Sequence, residues 1–172
     1  QWFYFRLQAA KGQPCTMRFS NAGQAAYPSG WEDYRAVASY DRMRWFRVPT
    51  SYDGQVLTIQ HTPKHDSVYY TYFEPYSWER HLALLGRVEQ SPRAQVIDLG
   101  SSVEGRDLNA VVVGNPLAPK KVWVIARQHP GETMAEWFAE GMLDTLLDES
   151  DPIARAVLEH AVFYIVPNMN PD

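Results

Sequence analysis

The chain has 172 residues, a net charge of −4 and an aromatic fraction of 13%, enough for one large domain or two small ones around a real core. It carries no basic block, which argues against nucleic acid as a partner, and no apolar run approaches the ~20 residues needed to cross a bilayer. Its single cysteine, Cys15, rules out an internal disulfide and fits a reducing, cytoplasmic compartment. The apolar start Trp2-Phe3-Tyr4-Phe5 is too short for a signal peptide.

Residues 1–75 hold most of the aromatic side chains and few helical patterns, a composition that favours strands. Short strands are expected at residues 2–7, 16–19, 44–48, 56–61 and 68–73, with Gly, Pro, Asn and Asp between them. Residues 56–61 carry the alternation of a half-buried strand, Val56, Thr58 and Gln60 against Leu57, Ile59 and His61. The expected product is a small antiparallel β-sandwich. Pro75 ends this block. Residues 77–89 then read as a helix capped by Ser77, with Leu82, Leu85 and Val88 on its apolar side, and Ser91-Pro92 closes it. Residues 76–92 are therefore expected to form a helical linker.

From residue 93 the pattern becomes α/β. Strands are expected at 96–99 and 108–113 around a turn containing Gly105, and at 122–126, a continuous apolar run of the kind covered on both faces. A helix follows at about 134–147, opened by Thr133 and Glu136 as a capping box. A second runs from Asp151 and Pro152 to near His160, and a strand occupies 161–166. This order predicts an incomplete mixed-sheet α/β domain over 93–172. Phe163-Tyr164-Ile165-Val166 is apolar at every position. The helices would cover one face. The other is expected to be covered by later residues of the same polypeptide or, on a plainer reading, by the N-terminal sandwich.

The chemistry lies in Arg127-Gln128-His129-Pro130-Gly131-Glu132-Thr133, between the third of these strands and the first of these helices. His129 offers a neutral nitrogen, and Glu132 precedes a helix N-terminus, whose dipole favours the ionised carboxylate that a metal needs. Pro130 and Gly131 permit a tight corner between them. On spacing alone the plainer reading is favoured, a turn histidine followed by an acid that complements the helix dipole. Placement favours the other, because open α/β sheets bind ligands at the carboxyl ends of their strands.

Residues 126–147, ARQHPGETMAEWFAEGMLDTLL, resemble the zinc-binding segment of zinc metallocarboxypeptidases, and most closely that of the cytosolic carboxypeptidase branch. The ending Val166-Pro167-Asn168-Met169-Asn170-Pro171-Asp172 and the aromatic N-terminal sandwich are similar to that branch as well. Gly131 stands where the digestive branch has arginine. The resemblance implies that His129 and Glu132 are two of three ligands to one zinc ion. It implies a third ligand, a catalytic glutamate and the substrate-binding arginines and tyrosine beyond Asp172. The complete enzyme is expected to hydrolyse the C-terminal peptide bond of a peptide or protein through zinc-activated water. This chain alone, without the general base, is expected to be inactive. Two alternatives are an amidase or deacylase of the same fold and a non-catalytic interaction module on a degenerate peptidase fold.

Other candidates read more simply. His61 and His65 flank Pro63, which disfavours a helix that would align them on one metal, so a solvated loop is expected. His160 suits a helix C-terminus. Glu136, Glu140, Asp144 and Asp148 recur every four residues and read as a solvated face opposite Ala135, Phe138, Met142 and Leu146. Arg127 could meet an anionic substrate or pair with a nearby acid.

Overall fold

A computed structural model of the chain describes residues 2–172. They form two compact units, the first ending at Glu74 and the second Pro75–Asp172.

The first unit is built from two antiparallel sheets that share one core. Strands β1 (Tyr4–Gln8), β3 (Val37–Ser39), β4 (Phe46–Arg47) and β7 (Ser67–Thr71) pair in the order β1-β7-β3-β4. Strands β2 (Cys15–Phe19), β5 (Thr50–Tyr52) and β6 (Leu57–His61) pair in the order β2-β6-β5. Alternation decides which residues face inward. Leu57 and Ile59 of β6 and Val68 and Tyr70 of β7 are fully buried in the common core, and Phe5 stacks on Tyr70 with ring centroids 5.3 Å apart. Buried aromatics with a polar end need a partner for it. Trp31 Nε1 donates to the Ala22 carbonyl at 3.0 Å, and the Tyr34 hydroxyl donates to the Tyr72 carbonyl at 2.5 Å. Burial pushes the Tyr34 hydroxyl above its ordinary range. The strand expected at residues 44–48 shortens to β4, and β5, which was not expected, follows it in the other sheet. Pro49 lies between them and lacks the N–H that a continuous ladder requires.

In the second unit, helix α1 (Trp78–Glu89) is capped by Ser77, whose hydroxyl accepts from the Arg80 N–H at 3.2 Å. Strands β8 (Ala94–Ser101), β9 (Asp107–Val113), β10 (Lys120–Ile125) and β11 (Ala161–Val166) form one mixed sheet in the order β10-β11-β9-β8. Only the β10–β11 pair is parallel, so the chain between them must cross over, and helices α2 (Thr133–Leu147) and α3 (Pro152–Leu158) make that connection. Asp151 caps α3 by accepting from the Ile153 and Ala154 N–H groups. Val111, Val113, Ala161, Phe163 and Ile165 pack with Leu84, Leu85 and Val88 of α1 and Ala139, Leu143 and Leu146 of α2 in one core. Gly114, at φ +101°, approaches β11 so closely that a Cβ would lie 2.9 Å from the Ala161 carbonyl oxygen.

The apolar run at 122–126 forms β10, which pairs with β11. Val122 and Val124 pack against the core, while Trp123 and Ile125 lie on the other face of the strand, with Trp123 stacked on Tyr164 at 4.7 Å. The capping box differs from expectation. Glu132 occupies the N-cap of α2 and Thr133 is already its first residue, so Glu136 is free for another task. Among the described residues no helix is long and apolar enough to cross a membrane.

Candidate metal centre

β10 and β11 run parallel and end side by side, and the chain leaving β10 is pinned at that end. Ala126 N–H donates to the Val166 carbonyl at 2.8 Å, and the Ala126 carbonyl accepts from Met169 N–H at 3.1 Å. Arg127 then takes a left-handed backbone, φ 43°, which turns the chain away from the sheet. Residues His129 to Glu132 then close a turn in which Glu132 N–H donates to the His129 carbonyl at 3.0 Å, and α2 begins directly after it.

On this turn His129 Nδ1 lies 3.1 Å from Glu132 Oε2, with the side chains 72% and 56% exposed. Two donors on a tetrahedral zinc, at bond lengths of about 2.0–2.2 Å, lie roughly 3.3–3.5 Å apart. The pair is therefore already near the separation that a shared ion imposes, and its nitrogen and oxygen donors suit zinc. Among the described residues no group of three or more His, Cys, Asp or Glu could hold a metal. His129 and Glu132 could supply two donors, half of what a closed zinc site needs.

Beneath the turn is a second cluster that the sequence reading misassigned. Glu136, expected on a solvated face, is 0% exposed. Its Oε1 lies 2.6 Å from Nδ1 of His81, which is also buried, and its Oε2 accepts from Arg127 Nη1 at 2.6 Å. A carboxylate facing a guanidinium can only accept, so His81 Nδ1 is the donor in the first contact. Arg127 Nη1 also donates to the Tyr76 carbonyl at 2.9 Å, and its Nε donates to the Pro130 carbonyl at 3.2 Å. Of the two roles open to Arg127, the geometry shows pairing with an acid. The signal for this cluster was periodicity. His81, Leu84, Leu85 and Val88 share the buried face of α1, and Glu136, Ala139, Leu143 and Leu146 share that of α2.

The remaining acids of α2 are not a free solvated face either. Glu140 accepts from Arg80 Nε at 3.0 Å and from Arg87 Nη2 at 3.2 Å, and Asp144 pairs with Arg87. Phe138, expected on the apolar side, is exposed. The Arg80 guanidinium lies 3.8 Å from the centre of the Trp137 ring. His61 is not in a loop: it ends β6 and its Nδ1 lies 2.8 Å from the Tyr70 hydroxyl. His65 stacks edge-on against Tyr40 at 4.7 Å. His160 follows α3 and is exposed.

The fold and the turn define a class first: a mixed-sheet α/β protein with a histidine–carboxylate turn at the carboxyl end of a parallel strand. Comparison with known proteins makes that particular. Residues 1–73 match the family model described as the cytosolic carboxypeptidase N-terminal domain, and residues 82–172 match the zinc carboxypeptidase model. The chain belongs to the zinc carboxypeptidase family. The metallo-carboxypeptidase from Burkholderia cenocepacia superposes with a TM-score of 0.94 at 58% identity, covering 100% of this chain and 47% of that one. The metallo-carboxypeptidase from Pseudomonas aeruginosa in complex with (2-guanidinoethylmercapto)succinic acid gives 0.93 at 46% identity, covering 100% and 46%. An uncharacterized protein of Zymomonas mobilis is 45% identical over 172 residues, which is 100% of this chain and 45% of that protein. The chain thus spans a little under half the length of these relatives.

Proposed function

We propose that the complete protein is a zinc-dependent metallocarboxypeptidase that hydrolyses the C-terminal peptide bond of a peptide or protein. His129 and Glu132 are two of the ligands to its single zinc ion. The observation that carries this reading is the facing of His129 Nδ1 and Glu132 Oε2 at 3.1 Å on an exposed turn at the carboxyl end of β10, in a chain of this family. When bound, zinc supplies Lewis-acid activation of water for attack on a carbonyl. The chain's own residues keep an imidazole nitrogen and a carboxylate oxygen open to solvent and aimed at one point. The third ligand and the general base come from residues beyond Asp172, so the 172-residue chain alone binds metal weakly and does not turn over. Residues 1–75 are its N-terminal sandwich domain and 93–172 the first part of the catalytic domain, to whose core the segment 76–92 contributes helix α1. The ligand in the Pseudomonas relative is a dicarboxylic acid, which agrees with a site that receives a terminal carboxylate. The single cysteine and the cytosolic description of the matching N-terminal family support a cytoplasmic location.

The test is metal analysis and peptide cleavage on the full-length polypeptide. Stoichiometric zinc and release of C-terminal residues, both lost in His129→Ala, are the expected result. A full-length protein that binds no supplied zinc, or that cleaves peptides equally well as His129→Ala, overturns the reading.

A further inference from the structure

We infer that Arg127, anchored by the buried Glu136–His81 pair, is a positioning residue that holds the His129–Glu132 turn in its metal-gripping shape; this rests on the zinc reading above. Four observations converge on it. Arg127 has a left-handed backbone, φ 43°, which is costly for any residue with a Cβ and persists only where the surroundings enforce it. That conformation brings its guanidinium back to the turn, where Nε takes the Pro130 carbonyl, between the two candidate ligands, at 3.2 Å. Its Nη1 takes the Tyr76 carbonyl just before α1 and Glu136 in the first turn of α2. One planar group thus ties the turn to both helices. A lysine, a single point donor, could not reproduce this fork.

Glu136 explains why the arrangement stays in place. A fully buried carboxylate is costly unless paired and hydrogen-bonded, and an apolar side chain of similar size usually stabilises a helix face at least as well. Here the carboxylate stands on the core-facing side of α2, one turn from Ala139 and two from Leu143, where an apolar residue would be ordinary. It uses one oxygen to fix Arg127 and the other to meet His81, whose ring is itself held in a stack on Trp78 at 4.9 Å. By contrast, the two candidate ligands are solvent-exposed. Groups behind the ligands that set their orientation tune metal affinity without touching the metal.

The experiment measures zinc dissociation constants by chelator competition on the full-length protein, together with amide hydrogen exchange of residues 128–132 in its metal-free form. The variants are Arg127→Lys, Arg127→Gln/Glu136→Gln and Leu143→Ala. Arg127→Lys is expected to weaken zinc roughly 10- to 100-fold and to speed exchange in the turn. The double variant leaves no unpaired buried charge, so it keeps the test open if Arg127→Lys does not fold, and it should show the same two effects. Leu143 lies in the core away from the turn, so Leu143→Ala should lower the thermal midpoint while zinc affinity stays within about twofold, as expected of a purely structural change. A folded Arg127 variant that binds zinc like the wild type overturns the inference. So does a loss of zinc affinity in Leu143→Ala equal to that in Arg127→Lys. Wild-type protein that binds no zinc removes the metallopeptidase reading and this inference together, whereas zinc-binding wild type with an unaffected Arg127→Lys removes only this one.

Discussion

The second unit contains two histidine–carboxylate pairs that sequence chemistry alone would treat alike. His129 and Glu132 face each other at 3.1 Å in open solvent. His81 and Glu136 meet at 2.6 Å with side chains 1% and 0% exposed. An ion pair in water contributes little to stability, because solvation already satisfies both groups. An exposed pair can therefore exchange its partner for a metal at small cost. A buried pair cannot, because each polar atom inside the fold depends on the neighbour it has. Exposure, and not spacing or distance, separates a pair that can take a ligand from a pair that shapes the structure around it.

The largest effect tests the buried member. Glu136→Gln leaves the Arg127 guanidinium, whose side chain is only 15% exposed, without its counter-charge. Breaking a buried pair from one side costs roughly 3–5 kcal/mol, and urea unfolding should read a loss of that order. A loss below about 1 kcal/mol would place Glu136 with the surface pairs and dissolve the contrast.

The two pairs also differ in how far the sequence disclosed them. His129 and Glu132 are three residues apart between a strand and a helix that were both legible, so their placement on one turn followed from the pattern. His81 and Glu136 are 55 residues apart, and only the packing of α1 against α2 brings them together. A single sequence carries no record of that contact. It does carry the helical spacing that turns both inward, and Leu82, expected on the apolar side of α1, is exposed next to the buried His81. The same division runs through the first unit. The alternation in β6 was readable, whereas β3, three residues that are all buried, has no alternation to read. Signals within one element survive in sequence. Those that depend on which elements meet do not.

An intermediate case lies between α1 and α2, where Arg87 pairs with Glu140 and Asp144 while itself half exposed. If solvent access governs the value of a pair, Arg87→Ala should cost about 0.2–1 kcal/mol, well under the cost at Glu136. An equal cost in urea unfolding would show that exposure does not rank these contacts.

A third histidine sharpens the comparison by facing a phenol instead of a carboxylate. Burial pushes His61 below its ordinary value of 6.5, and its Nδ1 meets the Tyr70 hydroxyl. The folded state then binds fewer protons than the unfolded chain just below 6.5. His61 therefore contributes stability that is complete above that value and is lost as pH falls through its lowered folded value, with a slope of at most one proton. Thermal unfolding followed from pH 7 to pH 5 should show a decline that shrinks in His61→Gln. An unchanged decline would mean that other groups set it.

The smallest effect on stability belongs to the exposed pair, and its smallness is the point. In the metal-free protein Glu132→Gln should move the unfolding free energy by less than about 0.5 kcal/mol, because the carboxylate it removes is more than half exposed and is solvated with or without the imidazole. In the full-length polypeptide the same substitution replaces an anionic oxygen donor by a neutral amide and should sharply weaken zinc binding. A side chain that matters to the ion and not to the fold is a ligand. If Glu132→Gln instead destabilised the metal-free protein as much as Glu136→Gln does, the carboxylate would be fastening the first turn of α2, and the contrast between the two pairs would fail at its exposed end.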